Sequence, residues 1–135
     1  NVEGPIRSLQ RCIKDAHLSL KEIDYVNAHA TSTPVGDMNE AKALDTVFGK
    51  HKPPISSTKS LTGHEMWMGG ASEVIYSLLM MQNNFIVPTI NLENIDESAK
   101  NLNLLKETKT AKIDTFLSNS FGFGGTNSTL IISKY

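Results

Sequence analysis

The sequence predicts an α/β protein built in layers, and three observations carry that expectation. Short β-branched and aromatic runs alternate with helix-period segments, the chain closes on two apolar runs joined by a glycine-rich turn, and one helical stretch is apolar on nearly every side. With 135 residues the chain is read as one domain, 1–135, long enough to bury a real core.

The elements follow in order. Pro5 to about Ser19 places Ile6, Leu9, Ile13 and Ala16 at helical spacing, with Pro5 suited to a first turn. "IDYVNAHA", Ile23 to Ala30, is short, partly β-branched and aromatic, and predicts a strand. A second helix carries both punctuation marks: Thr33 and Pro34 at its start, Gly49 at its end, with Ala41, Leu44, Val47 and Phe48 inward. "PPISSTK" predicts a second short strand after a proline-marked turn. Thr62 and Glu65 then stand at capping-box spacing, which makes Thr62 an N-cap and puts His64 in a first helical turn. From Met66 to Met81 the apolar residues fall all round, so this helix requires cover on more than one face. "NFIVPTINLEN" reads as a loop with one extended stretch, and "DESAKNLNLLKETKTAK" gives no firm signal. "TFLSNSFGFGGTNSTLIISK" predicts two strands and a glycine-rich turn. The chain opens directly into a helix with no strand before it, which suggests upstream sequence.

Composition removes several function classes. Hydrophobic residues are 39% and charged residues 20%, ordinary for a globular chain. A net charge of -1 offers no basic face for nucleic acid and no polybasic membrane patch. No apolar run approaches the roughly 20 residues of a bilayer span. The first residues lack a signal-peptide pattern. The single cysteine precludes an internal disulfide and fits a reducing compartment, so the expected location is cytoplasmic.

Chemistry is sought among four histidines. None has metal-site spacing with another and no CxxC exists, so no metal is expected. His17 and His51 sit in polar, turn-adjacent contexts and are assigned to the surface. His29 and His64 each lie where a strand or turn hands over to a helix, the place where ligands collect in layered α/β folds. A first-turn histidine feels the positive end of the helix dipole, and a nearby Lys59 acts in the same direction. Both favour a neutral imidazole able to donate to an oxygen that develops negative charge. "GFGGTN", Gly122 to Asn127, admits three readings: a phosphate loop, a plain hairpin turn, or a backbone amide donor aimed at an oxyanion. The first is weakened because a strand, not a helix, follows. Cys12, beside an apolar stripe, reads as a small half-buried hydrophobe.

"NAHATSTPVGD", "STKSLTGHEMWMGGASEVIYSLLMM" and "SNSFGFGGTNSTLII" together resemble the last third of a β-ketoacyl-[acyl carrier protein] synthase of the type I/II condensing class. The resemblance runs from Gly4 onward. It implies a thiolase-like α-β-α-β-α fold of two similar halves, with a mixed sheet, a buried central helix and a C-terminal hairpin in this half. It implies decarboxylative Claisen condensation of a cysteine-bound acyl chain with malonyl-acyl carrier protein, without a cofactor. The roles it implies follow motif position: His29 and His64 match the two active-site histidines and Lys59 the lysine beside the second. Phe123 matches a gating phenylalanine whose amide joins the oxyanion hole. Thr31 and Thr33 match threonines that bind the pantetheine arm, and Asp37, Glu40 and Glu73 match a supporting acidic network. Nine residues at ~100° each would put Glu73 across a shared helix from His64.

Two departures from the motif stand out. Ala30 replaces a glycine, and Met66, Trp67 and Met68 replace small residues, which makes them candidates for shaping the acyl pocket. The family's nucleophilic cysteine is expected in the other, N-terminal half, because Cys12 does not match it. Acyl carrier protein, that half and a second copy in a homodimer are the implied partners, with neither nucleic acid nor membrane. The competing reading is a non-catalytic, chain-length-factor-like subunit, against which His29, Lys59 and His64 argue. A free-standing binding module would require the 135 residues to fold alone.

Overall fold

A three-residue strand organises the protein. In the computed structural model, which describes residues 1–135, β1 (Tyr25–Asn27) is wholly buried and lies at the centre of a five-stranded sheet. Around it run α1 (Glu3–Asp15), α2 (Pro34–Phe48), β2 (Pro54–Ser56), the short α3 (Lys59–Thr62) and α4 (Gly69–Asn83). Then come β3 (Phe85–Ile86), β4 (Asn103–Leu104), β5 (Lys109–Thr110), β6 (Thr115–Phe121) and β7 (Asn127–Ser133). The strand order is β4-β2-β1-β6-β7; β1 is parallel to β2 and β6, and β4 is parallel to β2. Only β7 is antiparallel, paired with β6 from Thr115↔Ser133 to Phe121↔Asn127. The predicted glycine-turn hairpin is thus present.

Alternation along β1 divides the core between two faces. Val26 packs with Leu9, Ala43, Leu44, Phe48, Ile55 and Leu117 under α1 and α2. Tyr25, one residue earlier, packs with Met80, Met81, Ile86, Ile113 and Phe116 under α4. A parallel sheet covered on both faces is the usual way to bury such short apolar strands. Three layers result: α1 and α2, the sheet, and α4.

Several predicted boundaries shift. α1 stops at Asp15 rather than near Ser19, because the chain turns left-handed at His17 (φ 55°). The first strand keeps only Tyr25–Asn27 of the expected Ile23–Ala30. α2 begins after Thr33 and ends at Gly49 (φ 56°) as expected, although the Thr33 hydroxyl meets Thr31 Oγ1 (3.2 Å) rather than capping the helix. His51 is half-buried, not on the surface; its ring lies 3.4 Å from the Ile23 carbonyl oxygen.

The largest correction concerns the buried helix. Thr62 is not its N-cap. Lys59–Thr62 form a separate turn of helix closed at Gly63 (φ 80°), Met66–Met68 form a 3-10 turn, and α4 starts only at Gly69. The Thr62 hydroxyl donates to the carbonyls of Thr58 and Gly63, and Glu65 accepts from the Tyr76 hydroxyl (2.7 Å), so the capping-box spacing is coincidental. Nor is the helix covered all round in this chain. Ser72, Glu73, Ser77, Met80 and Met81 are buried, whereas Ile75 and Leu79 on the opposite side are about half exposed. Gly70 permits the close seat of α4 on the sheet, since a Cβ there would lie 3.2 Å from Ser120 Oγ. The unassigned stretch contains β4, which extends the sheet, and β5, which pairs antiparallel with β3. No helix is long and apolar enough to cross a membrane.

Candidate active site

His29 stands two residues beyond β1, where the ladder with β6 has ended at Asn27↔Ser118. Its segment is held by Glu40, a buried α2 carboxylate. Glu40 Oε1 accepts the His29 N–H (2.9 Å) and Oε2 the Ala30 N–H (2.7 Å). Burial pushes the Glu40 carboxyl up, and these two amides with the Asn119 side chain oppose the shift. Asp37 accepts the N–H of Ser32 (3.1 Å), itself left-handed at φ 63°, and so shapes the loop carrying Thr31 and Thr33.

His64 is not on a helix. It lies in the link between α3 and the Met66–Met68 turn, exposed, with Nδ1 accepting the Met66 N–H at 3.0 Å. Its ring meets that of His29 edge-on, centroids 5.5 Å apart and planes at 87°. The Phe121 ring is 6.3 Å from His29 on another side. The dipole argument for His64 therefore fails, since it occupies no first helical turn. The Met66 amide sets its tautomer instead: a nitrogen that accepts carries no proton, so the neutral ring carries its proton on Nε2.

His29 is the histidine with the displaced pKa, down to about 4. Half-burial is the main cause, followed by the charges of Lys59 and His64. It is neutral at pH 7, and its Nδ1 is buried without a hydrogen-bond partner in the chain.

Lys59 opens α3 and forms a buried ion pair with Glu73 on α4, the two side chains only 7% and 4% exposed. A knot of polar groups anchors this pair. Asn27 donates to Thr58 Oγ1 (3.2 Å) and Ser77 Oγ (3.2 Å) and accepts the Thr58 N–H (3.4 Å), tying β1 to both α3 and α4. Burial raises the Glu73 carboxyl while Lys59 opposes it. Glu73 thus neighbours Lys59 across two elements; the single-helix angle relative to His64 does not apply.

His29, His64, Lys59, Glu73 and Glu40 are therefore gathered at one end of the sheet. The other candidates sit at its margin. Phe123 is fully exposed in the hairpin turn, where Gly124 and Gly125 take positive φ (75° and 85°) and Gly122 N–H closes on the Thr126 carbonyl (2.7 Å). Met66, Trp67 and Met68 are all exposed, Trp67 at 97%. No sequence motif singles out Asn27, Thr58, Asn119 or Phe121. The available signal was polar asparagine in the middle of strands otherwise apolar enough to be buried. Cys12 lies apart, on α1 against Ile131, its thiol pushed up by burial.

This arrangement can be set beside known proteins. The profile of the "Beta-ketoacyl synthase, C-terminal domain" family matches residues 1–93. The 3-oxoacyl-[acyl-carrier-protein] synthase 1 of Haemophilus influenzae is 54% identical over 128 residues, covering 93% of this chain and 32% of the relative. Among solved structures, a β-ketoacyl synthase from Burkholderia phymatum superposes with a TM-score of 0.95 at 37% identity, covering 100% of this chain and 33% of its own. A type II polyketide synthase ketosynthase structure with its acyl-carrier protein gives 0.92 at 30% identity, covering 100% and 34%. The chain spans about a third of the length of the curated relatives it matches. The thiolase-like layering implied by the sequence resemblance is the fold these structures share with it. The chain belongs to the β-ketoacyl synthase family, within its C-terminal domain.

Proposed function

We propose that these residues form the decarboxylation half of a 3-oxoacyl-[acyl-carrier-protein] synthase acting in fatty acid chain elongation. The supporting observation is the pair of imidazoles, edge to face at 5.5 Å, one kept neutral by its surroundings and the other restricted to an Nε2–H donor. Two imidazole N–H donors directed at one carbonyl oxygen suit a reaction that puts negative charge on that oxygen.

In this reading a malonyl thioester, carried by acyl carrier protein, lays its carbonyl oxygen between His29 and His64. The bond from C2 to the carboxylate breaks, CO2 leaves, and the electron pair moves into the enolate. The enolate carbon then attacks an acyl thioester, and the thiolate leaves. Cys12 is no candidate for that thiolate: it lies on α1 against Ile131, its pKa raised by burial. Lys59, neutralised by Glu73, lowers the proton affinity of His29 without placing an unpaired charge in the site. The Phe123 amide at the glycine turn serves the acyl oxyanion, Thr31 and Thr33 bind the pantetheine arm, and Met66, Trp67 and Met68 border the acyl chain. Asp37, Glu40 and Glu73 hold the framework. A homodimer in the cytoplasm is the setting this reading implies.

His29→Ala and His64→Ala in the complete synthase test it. CO2 release from malonyl-acyl carrier protein should fall ~10²–10³-fold, the cost of one lost donor to a developing oxyanion. Acyl transfer onto the enzyme should fall much less, because the enolate charge exists only in the decarboxylation step. Wild-type CO2 release in either variant would refute the assignment.

A further inference from the structure

Asn119 is fully buried on β6, and its contacts impose an order on their protons. Its Nδ2 donates to Glu40 Oε1 (3.0 Å), and its Oδ1 accepts from Thr129 Oγ1 (3.0 Å), its register partner on β7. Thr129 has one hydroxyl proton and gives it to Asn119, so the contact with Ser8 Oγ (3.0 Å) on α1 must be donated by Ser8. A directed chain therefore runs Ser8 to Thr129 to Asn119 to Glu40, where the amides of His29 and Ala30 also arrive. Every donor points at the carboxylate, which is the arrangement a buried anion requires.

The location of this chain matters as much as its direction. The β1–β6 register ends at Asn27↔Ser118, and Ala28 N–H turns to the Ser56 carbonyl of β2. Beyond it Glu40 bridges the two strands, binding the His29 and Ala30 amides on one side and Asn119 on the other. One side of the bridge carries His29; the other leads within two residues to Phe121, beside the His29 ring, and on to the glycine turn.

We propose that Asn119 is a positioning residue: it fixes the separation of the His29 segment from the Phe121–Gly125 turn by holding Glu40 ionised and triply bonded. The proposal deepens the reading of His29 as an enolate donor and rests on it. Asn119 touches no substrate in this scheme. It acts through Glu40.

Asn119→Asp gives this role a readout that ordinary packing lacks. It would place a second carboxylate where the amide donor now sits, 3.0 Å from Glu40 Oε1. Two buried carboxylates so close must share a proton, and the shared proton is lost as pH rises. The surrounding charges are Lys59 from α3, paired with Glu73 of α4, and Asp37 on α2, turned to the Ser32 amide; α1 and β7 present the neutral hydroxyls of Ser8 and Thr129.

The experiment compares the complete wild-type synthase with Asn119→Asp and with Glu40→Gln/Asn119→Asp, following CO2 release and the His29 NMR resonance from pH 5.5 to 9. Asn119→Asp should lose roughly tenfold or more in rate as pH rises, about one decade per unit beyond the shared pKa, with a matching alkaline inflection in His29. The double variant has one carboxylate at the bridge, so its rate, although low, should lack that limb. An Asn119→Asp profile parallel to wild type, or a limb that persists in the double variant, overturns the proposal. Should Asn119→Asp unfold at alkaline pH, the double variant must restore folding there, and failure to do so also overturns it. A wild type that releases no CO2 overturns the proposed function instead, and the His29 inflection then decides the role of Asn119 by itself.

Discussion

The main-chain N–H of Met66 donates to Nδ1 of His64 across 3.0 Å, and Met66 does so from a left-handed backbone, φ 53°. A residue with a side chain pays for that conformation about 1–2 kcal/mol. The reward is an imidazole whose free nitrogen is a donor. In ¹⁵N spectra of the complete synthase, neutral His64 should carry its proton on Nε2. Met66→Gly relieves the left-handed strain but adds unfolded-chain entropy, costs of similar size, so stability should shift by less than about 1 kcal/mol. The Nε2–H form should persist in that variant; a spectrum with the proton on Nδ1 would contradict the geometry.

His29 should titrate near pH 4, well below the ordinary histidine value of 6.5. The unfolded chain then takes up this proton first as pH falls. The stability linked to neutral His29 is therefore complete above about 6.5 and is lost between about 6.5 and 4. Lys59→Met should raise the His29 pKa only part of the way, because burial is the larger cause. A histidine NMR titration in wild type and variant measures both.

The Lys59–Glu73 pair should be costly to break from one side. Both side chains are buried, so Lys59→Met leaves an uncompensated carboxylate, and a loss of about 3–5 kcal/mol is expected. Lys59→Met/Glu73→Leu removes both charges and should recover most of that loss while decarboxylation stays impaired. Denaturant unfolding with parallel CO2 assays separates the two effects. Equal stability losses in the single and double variants would show that packing, not charge, holds this corner.

Trp67 is almost completely exposed on this chain, so Trp67→Gly removes no buried contact from its core. A change within about 0.5 kcal/mol is expected in the stability of the isolated chain. In the complete synthase the same substitution should widen the range of acyl chains accepted, with CO2 release from malonyl-acyl carrier protein little affected. A product profile identical to wild type would remove Trp67 from the acyl pocket.

The outward side of α4 exposes Ile75 and Leu79, and Leu61, Met66, Trp67 and Met68 are also exposed around its start. Patches beyond about 300–600 Å² are uncommon on soluble monomers. Residues 1–135 expressed alone should self-associate, and Ile75→Lys/Leu79→Glu should reduce this. Sedimentation of both forms is the check, and a monodisperse wild-type monomer would contradict it.

The layered class, the second helix with its glycine stop and the closing hairpin were all legible in the sequence, because periodicity, proline and glycine act locally. Motif order also marks His29, Lys59 and His64 as candidates. Local signals misled between Lys59 and Gly69, where Thr62 and Glu65 have capping-box spacing yet bond elsewhere. There the left-handed turns at Gly63 and Met66 break what the pattern reads as one helix. The half-exposed side of α4 was equally invisible, since an all-round apolar pattern records a need for cover without supplying it. Only the tertiary structure brought Lys59 to Glu73, His29 to His64, and Asn119 to Glu40, residues 14, 35 and 79 positions apart. Sequence alone determines which side chains are present and how each segment prefers to bend. Proton positions and shifted pKa values depend on burial and distance, and those arise only when β1, β6, α2 and α4 meet at one end of the sheet.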